Sequence, residues 1–186
     1  MAEKVNVNDT CILAVLGDIT REKADAIVNA ANSGLMGGGG VDGAIHRAGG
    51  TAILEDCRKI VAEIGRLPAG KCVLTGAGKL AAKYVIHTVG PVWHGGTMRE
   101  SDILASCYTE CLKLASSYNV KSIAFPAIST GVYSYPPELA AGVAVSAVYD
   151  FISTESCSID EVRFVLYDKG SYNIYIKELE LLVSKR

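Results

Sequence analysis

The sequence lacks several features, and each absence disfavours a class of protein. Positive charge is not in excess, since 18 Lys and Arg residues stand against 20 Asp and Glu and give a formal net charge of −2. A general nucleic-acid-binding surface needs a basic footprint. No apolar run reaches the length of a membrane-spanning helix, and no basic segment followed by an apolar run marks a secretory signal. We therefore expect no general nucleic-acid binding and no membrane contact.

Cysteine pairs of the CxxC type are also absent, although the chain has 6 cysteines. Cys107 and Cys111 are one helical turn apart and could form half of a metal site, but no His or Cys at metal-ligand spacing accompanies them. Both lie on the apolar stripe of a predicted helix, so buried free thiols are the favoured interpretation. Free thiols favour a reducing compartment. We expect a cytoplasmic protein without a bound metal.

No linker, internal repeat or low-complexity segment divides the 186 residues, so we predict a single domain over residues 1–186. Apolar strands alternate with helical segments along the chain. Several strands are continuous apolar runs, which is typical of strands buried on both faces, and the pattern predicts a layered α/β sandwich. Strands are predicted at Cys11–Leu16, Ala26–Asn29, Cys72–Thr75, Tyr84–Val89, Ser122–Ala127 and Val162–Tyr167, and helices at Asp42–Ile64, Asp102–Tyr118, Pro137–Ser153 and Ser171–Lys185.

The most informative segment is DAIVNAANSGLMGGGGVDGAIHRAGG, residues 25–50. An apolar strand ends in two asparagines, four consecutive glycines follow, and a predicted helix then carries Asp42 and His46. Glycine adopts positive φ and lets a ligand approach the backbone closely. The start of a helix has N–H groups without partners and a partial positive charge. The combination predicts a phosphate-binding site.

Two familiar nucleotide-binding patterns are present but incomplete. Residues 38–43 match GxGxxG, but the preceding strand ends near Asn29, well before the glycines, which disfavours a Rossmann site. Residues 65–71 match GxxxxGK, but Cys72 replaces the magnesium-binding Ser or Thr, and a predicted strand follows instead of a helix. A P-loop is therefore rejected.

A second glycine-bearing loop follows the strand that begins at Ser122. Ser129, Thr130 and Gly131 can turn successive N–H groups toward one point, and Tyr133 could close over a ligand. The alternative is an ordinary turn stiffened by prolines. In open α/β sheets, ligands lie outside the carboxyl ends of the strands, where both glycine-bearing loops begin. If the two loops face each other, they can hold a diphosphate between them.

Asp42 and His46 are spaced i and i+4, so they lie on the same face of the predicted helix. The ordinary explanation is an aspartate favoured by the helix dipole and a histidine at a core position. Asn29 and Asn32 precede the pair and offer both donors and acceptors, which suits the diol of a sugar. The neighbouring asparagines therefore favour a functional interpretation.

The remaining candidates each have an ordinary structural explanation. Asp18 either caps a turn together with Thr20 or accepts a hydrogen bond from the exocyclic amine of a base. Tyr167 either lies at the edge of the core or offers a surface on which a base stacks. We interpret His87 and His94 as structural.

Taken together, these motifs resemble the macrodomain family, specifically its ADP-ribosyl hydrolases. The resemblance covers nearly the whole chain and is carried by GDIT (17–20), VNAAN (28–32), GGGGVDGAIHRAGG (37–50), YVIHTVGP (84–91), FPAISTGVY (125–133) and the YD pair at 167–168. It implies a three-layer α/β/α sandwich with a mixed central sheet that binds ADP-ribose. One departure is Ser134, where the family more usually has glycine.

The resemblance also implies how the ligand is held. Asp18 would accept the adenine amine, with Ile19 beside the base, and Tyr167 would stack on adenine. Two loops would wrap the diphosphate. Their residues are Gly37, Gly38, Gly39, Gly40 and Val41 in the first loop, and Ser129, Thr130, Gly131, Val132 and Tyr133 in the second.

At the distal ribose, the resemblance implies that Asn32 holds the hydroxyls and Asn29 supports it. Asp42, with His46 behind it, would orient or deprotonate the attacking water. Many macrodomains only bind ADP-ribose, and these commonly lack the Asp/His pair that this chain has. The resemblance therefore favours catalysis.

The implied reaction is hydrolysis of ADP-ribosyl esters without any cofactor. Expected partners are ADP-ribose, proteins mono-ADP-ribosylated on Asp or Glu, and O-acetyl-ADP-ribose. Two alternatives remain open: a reader module that binds ADP-ribose without chemistry, and a phosphatase acting on ADP-ribose 1″-phosphate.

Overall fold

The structure is a computed structural model that describes residues 4–184. In these residues seven strands form one sheet in the order β1-β2-β7-β6-β3-β5-β4. The five inner strands are parallel, whereas the edge strands β1 and β4 run antiparallel to their neighbours. The strands are β1 (Lys4–Val7), β2 (Thr10–Leu16), β3 (Ala26–Ala31), β4 (Cys72–Gly76), β5 (Tyr84–Val89), β6 (Ser122–Phe125) and β7 (Glu161–Leu166).

Helices cover both faces of the sheet and bury two separate cores. One core includes Phe125 and Phe164 of the sheet and is covered by α3, α4 and α5; the other includes Ile27 and Val85 and is covered by α1 and α2. The predicted three-layer α/β/α sandwich with a mixed sheet is thus confirmed. The helices are α1 (Gly40–Gly49), α2 (Thr51–Ile64), α3 (Glu100–Ser117), α4 (Pro137–Thr154) and α5 (Lys169–Ser184), and a 3₁₀ turn spans Ile19–Arg21.

The single helix predicted over Asp42–Ile64 is wrong, because the structure has two helices in this segment. Gly50 ends α1 with φ of 80°, a left-handed conformation that glycine adopts without strain. Its N–H still donates to the carbonyl of His46 at 3.0 Å. The break redirects the chain so that α1 and α2 both pack on the same face of the sheet.

Strand β1 was not predicted, and other boundaries move by one to a few residues. In β1, Val5 and Val7 are buried while Lys4 and Asn6 are exposed, as expected for a strand with one buried face. The last strand ends at Leu166, so Tyr167 lies just beyond it. The last helix begins at Lys169, before the predicted start, and the predicted end at Lys185 lies outside the described residues.

The interpretation of Cys107 and Cys111 as buried free thiols is confirmed. Both are fully buried on α3, and all six cysteines are free. Burial raises the pKa of Cys107 to about 11, which keeps it a thiol at neutral pH. Among residues 4–184, no helix is both long and apolar enough to cross a membrane.

The parallel inner strands place five connecting segments along one edge of the sheet, which we call the carboxyl edge. Ligands of α/β proteins bind at this edge because the connecting loops converge there. In sheet order, the segments are Gly17 and Asp18 after β2, Tyr167 after β7, residues 126–136 after β6, residues 32–39 after β3 and residues 90–99 after β5.

Candidate active site

The first glycine-rich loop leads directly into the N-terminus of α1. Gly37 and Gly40 have φ of 83° and 57°, so this backbone path requires glycine at both positions. No side chain caps the helix at Gly39, and a Cβ atom on Gly39 or Gly40 would meet no atom within 4 Å. The first N–H groups of α1 therefore border open space, which favours an anion at this point.

Asn32 and Asp42 converge on the backbone of Gly38. A Cβ atom built on Gly38 would lie 3.1 Å from Asp42 Oδ2 and 3.3 Å from Asn32 Nδ2. Asn32 also holds the loop in shape, because its Nδ2 donates to the carbonyl of Gly37 at 2.9 Å and its Oδ1 accepts from the N–H of Gly34 at 3.1 Å. The structure thus brings together one amide and one carboxylate at the glycine loop.

The two oxygens of Asp42 have different surroundings. The side chain is buried in the first turn of α1, where the helix dipole favours its negative charge. Oδ1 accepts from Asn29 Nδ2 at 2.7 Å and lies 3.4 Å from His46 Nε2. Oδ2 has no hydrogen-bond partner among residues 4–184. One oxygen is therefore held in place, while the other is a buried acceptor without a hydrogen-bond partner among these residues.

Behind Asp42, a chain of hydrogen bonds runs into the sheet. Asn29 pairs with His87 in the register of β3 and β5, and their side chains meet at 3.1 Å between Nδ2 and Nδ1. His87 Nε2 lies 2.9 Å from Thr75 Oγ1 on β4. Burial, with a smaller contribution from the neighbouring His46, lowers the pKa of His87 to about 3, so this imidazole is neutral at physiological pH.

Sequence reasoning placed His87 in the fold but missed its connection to Asp42. A signal was present, because His87 interrupts the apolar residues of one buried strand just as Asn29 interrupts those of another. What the sequence does not give is the register that places the two polar residues side by side.

One group of three side chains has atoms close enough together to suggest a metal site. These atoms belong to His46, Cys57 and His87 and all lie within 4.8 Å of one another. However, His87 Nε2 already bonds to Thr75, and burial raises the pKa of Cys57 to about 11, with the Asp42 carboxylate adding to the shift. These features favour a hydrogen-bonded cluster over a metal centre.

The second loop is tied to the rest of the carboxyl edge by backbone hydrogen bonds. Ser129 is buried, has φ of 67° and accepts from the N–H of Tyr135 at 3.0 Å. The N–H of Trp93 donates to the carbonyl of Tyr133 at 2.9 Å, and the rings of Trp93 and Tyr135 lie 4.5 Å apart. Ser134 has φ of 57°, the left-handed region that glycine enters more readily. The substitution noted in the sequence thus falls at a strained position.

The tip of this loop and the segment after β7 present apolar surface to solvent. Val132 is 96% exposed and Tyr167 is 83% exposed. Thr130 and Gly131 lie beside Val132, and Gly131 has open space where a Cβ atom would stand. A single exposed apolar side chain is ordinary on a protein surface, so the ligand-binding roles of these residues stay predictions.

Asp18 makes the turn cap that the sequence suggested. Its Oδ1 accepts from the backbone N–H of Thr20 at 2.9 Å and from the hydroxyl of the same residue at 2.7 Å. The hydrogen bond from this hydroxyl lowers the pKa of Asp18 below its usual value. Ile19 is buried beside it. The adenine-binding role of these two residues stays a prediction.

Two surface hollows lie away from the carboxyl edge. One, of about 360 Å³, lies where β3 and β6 begin, beside the 2.8 Å ion pair between Lys83 and Asp25. The other, of about 320 Å³, lies between α3 and α4. Neither hollow contains any of the predicted site residues.

Comparison with known proteins gives matches over most of the chain. A family model described as Macro domain matches residues 28–144. An O-acetyl-ADP-ribose deacetylase of Salmonella typhimurium is 54% identical over 165 residues, which cover 89% of this chain and 92% of that protein. A solved Oceanobacillus iheyensis macrodomain with ADP has a TM-score of 0.94 at 40% identity, covering 98% of this chain and 97% of that one. A Trypanosoma brucei macrodomain in complex with ADP-ribose has a TM-score of 0.82 at 39% identity, covering 90% and 68%.

Proposed function

The chain belongs to the macro domain family, and from this premise we propose that it binds ADP-ribose at the carboxyl edge and hydrolyses ADP-ribosyl esters. The substrates are O-acetyl-ADP-ribose and proteins mono-ADP-ribosylated on Asp or Glu. The single observation that carries the catalytic part is the free Oδ2 atom of Asp42, located beside Gly38 and Asn32.

The order of segments along the carboxyl edge supports the binding part of the proposal. Asp18 and Tyr167 follow the adjacent strands β2 and β7, the two glycine-bearing loops follow β6 and β3, and Asn32 leads the loop after β3. With neighbouring strands about 4.8 Å apart, the distance from β2 to β3 is roughly 14 Å. An elongated ligand would place its base at β2 and β7, its diphosphate between the loops, and its far sugar at Asn32 and Asp42.

The diphosphate needs no basic side chain in this arrangement. The N–H groups at the start of α1 are not capped by a side chain, and the helix dipole adds partial positive charge there. This explains how a chain with a net charge of −2 can hold an anionic ligand. Recognition of this kind is local and independent of overall charge.

The hydrolysis requires water to attack the ester and release ADP-ribose with a free carboxylic acid. Asp42 Oδ2 would accept a hydrogen bond from this water, orienting it or removing its proton as the new bond forms. Asn32 would hold the ribose hydroxyls, and His46 would support the carboxylate from behind. General-base assistance of this kind is worth roughly 10²–10⁴-fold in rate.

The decisive experiment is to compare the wild-type protein with Asp42→Ala. We expect turnover of O-acetyl-ADP-ribose to fall by roughly 10²–10⁴-fold, while calorimetric titration still gives one ADP-ribose site per chain. Asp42→Asn, which keeps the shape of the side chain, serves as a second variant if Asp42→Ala is unstable. Unchanged turnover in a folded variant would refute the role of Asp42.

Two further assays separate hydrolysis from the two alternatives. A reader module would bind ADP-ribose in the titration but release no label from an auto-ADP-ribosylated acceptor protein. A phosphatase would instead release inorganic phosphate from ADP-ribose 1″-phosphate. The buried Asp42 with one free oxygen supports hydrolysis over a reader, because contacts to adenine and diphosphate suffice for binding alone.

A further inference from the structure

We propose that His87 is a positioning residue that acts through Asn29 to hold the Asp42 carboxylate with Oδ2 free. The inference rests on the hydrolysis proposed above. His87 itself lies inside the sheet, two hydrogen bonds away from Asp42, and touches no substrate.

The hydrogen atoms in the series of hydrogen bonds that runs from Thr75 to Asp42 can be assigned in order, starting at Thr75. The carbonyl of Gly76 can only accept, so the hydroxyl of Thr75 donates to it at 2.9 Å. Thr75 Oγ1 has then used its hydrogen, so it accepts from His87 Nε2–H at 2.9 Å. A neutral imidazole carries one N–H group, and His87 is neutral because burial lowers its pKa to about 3. His87 Nδ1 is consequently an acceptor.

The directions of the remaining hydrogen bonds, from His87 through Asn29 to Asp42, follow from this tautomer. Asn29 Nδ2 has two hydrogens; one is donated to His87 Nδ1 at 3.1 Å and the other to Asp42 Oδ1 at 2.7 Å. Turning the amide around would bring Asn29 Oδ1 against the carboxylate oxygen and against an imidazole nitrogen that has no hydrogen. His87 and the Asp42 carboxylate therefore select the same orientation of the Asn29 amide, and His87 holds the amide in it from the side away from Asp42.

The consequence for Asp42 is a single defined orientation. Its Oδ1 is tied to Asn29, so Oδ2 is the oxygen left without a partner among the described residues, next to Gly38. A carboxylate that could rotate would spend part of its time with neither oxygen correctly aimed. A misplacement of about 1 Å in a catalytic group can cost roughly 10²-fold in rate.

A purely structural role for His87 is the competing explanation, since the same series of hydrogen bonds also links α1 to β3, β5 and β4. It is weakened by the cost of burying these groups. Asn29 and His87 are fully buried, and Asn29 Oδ1 has no partner among the described residues. An apolar pair of the same shape would avoid this desolvation penalty. The polar pair is therefore better explained by its effect on Asp42.

The first arm of the test reads the tautomer directly. Nitrogen-15 NMR of the histidine rings at neutral pH distinguishes Nε2–H, Nδ1–H and the imidazolium. With only 3 histidines in the chain, a His87→Asn sample assigns the signal. We expect neutral Nε2–H. An Nδ1–H tautomer or a charged ring would overturn the proposal, because Asn29 could not then donate to both neighbours.

The second arm measures turnover and ADP-ribose affinity in three variants. His87→Leu removes the acceptor, and we expect kcat to fall by roughly 10–100-fold with the ADP-ribose Kd unchanged. His87→Asn places a side-chain oxygen near the former position of Nδ1, and we expect it to restore most of kcat. Val85→Ala, two residues earlier on the same buried face of β5, controls for loss of stability, and we expect full turnover.

The outcomes separate this inference from the function on which it rests. If the wild-type protein hydrolyses ADP-ribosyl esters and folded His87→Leu does so equally well, the positioning role fails alone. If Val85→Ala loses as much turnover as His87→Leu, or His87→Asn recovers none, the role is structural. If the wild-type protein hydrolyses none of the esters, the proposed function fails and the positioning role fails with it.

Discussion

Because the Tyr167 side chain is exposed, its role in ligand binding can be tested without disturbing the fold. It follows the buried Leu166 at the end of β7, yet its own side chain is 83% exposed. An aromatic ring in this position contributes little to the core. It follows β7, whose neighbour β2 leads to Asp18, and we propose that the adenine lies between these two segments.

Replacing Tyr167 by alanine therefore tests the adenine site. Loss of base stacking costs about 1–3 kcal/mol, so we expect ADP-ribose to bind roughly 5- to 150-fold more weakly by calorimetry. The unfolding midpoint should not change, since the ring is exposed. Tyr118→Ala is the matched control, because Tyr118 is 50% exposed at the end of α3, beside the opposite edge of the sheet. Equal affinity in both variants would place the adenine elsewhere.

At the scale of single residues, the sequence patterns showed which residues belong to the candidate site more reliably than they showed which of them are in contact. Asp42 and His46 were expected to be neighbours from their i and i+4 spacing, and the structure places them 3.4 Å apart. The contact of Asn29 with His87 was not expected. Helical spacing is contained within one segment, whereas that contact depends on how two strands distant in sequence align.

Among the elements, α1 is the one on which the candidate site depends most. Its first turn supplies both the N–H groups that no side chain caps and Asp42, and it packs closely on the glycine loop. A Cβ atom on Gly43 would collide with the carbonyl oxygen of Gly38. The helix can approach the loop this closely only because residue 43 is glycine.

Gly43→Ala consequently tests the packing of α1 against the loop. Alanine favours a helix by about 1 kcal/mol over glycine, but overpacking costs about 1–3 kcal/mol. We expect a net loss of unfolding free energy in urea, together with reduced turnover because Gly38 must shift beside Asp42. Gly142→Ala in α4 is the control, since its Cβ atom would make an ordinary 3.6 Å contact with Glu178. That variant should gain about 0.5–1 kcal/mol, and equal gains in both would contradict the packing argument.

The elements themselves were largely predictable, and the errors have physical causes. Apolar periodicity continues through Gly49 and Gly50, which is why one helix was predicted there. The break depends on tertiary packing, since Gly49 lies against the backbone of Ala77 and of Gly78 in the following segment. Strand β1 is only four residues long, and its alternating pattern is too short to distinguish from a loop without its partner β2.

At the scale of the whole molecule, the segments that follow the parallel strands in the sequence are the ones that lie together at the carboxyl edge. The sequence motifs that resemble the family all lie in or after inner strands that are parallel, so the segments that follow these strands share one edge. Burial of the strands on both faces was anticipated from the continuous apolar runs. The sheet order was not, because no local pattern in the chain specifies which strands become neighbours.

Stability against acid is a property of the whole molecule, and it depends on the buried histidine, His87, behind Asp42. His87 has a folded-state pKa of about 3, whereas an unfolded histidine has a pKa of about 6.5. Between these values the unfolded state binds more protons, so the free energy of unfolding rises with pH and falls as the solution is acidified. The contribution is complete above pH 6.5 and is lost progressively toward pH 3.

We expect this single group to remove about 2 kcal/mol of stability between pH 7.5 and pH 5. Carboxylates contribute little in this window; for example, Asp25, whose pKa is lowered mainly by its hydrogen bond with Lys83, loses its contribution only below about pH 4. Urea titrations of wild type and His87→Asn should therefore converge as the pH falls, since asparagine does not titrate. If the curves for wild type and His87→Asn were parallel, His87 would be no harder to protonate in the folded protein than in the unfolded chain. The neutral imidazole that orients Asn29 would then have no basis.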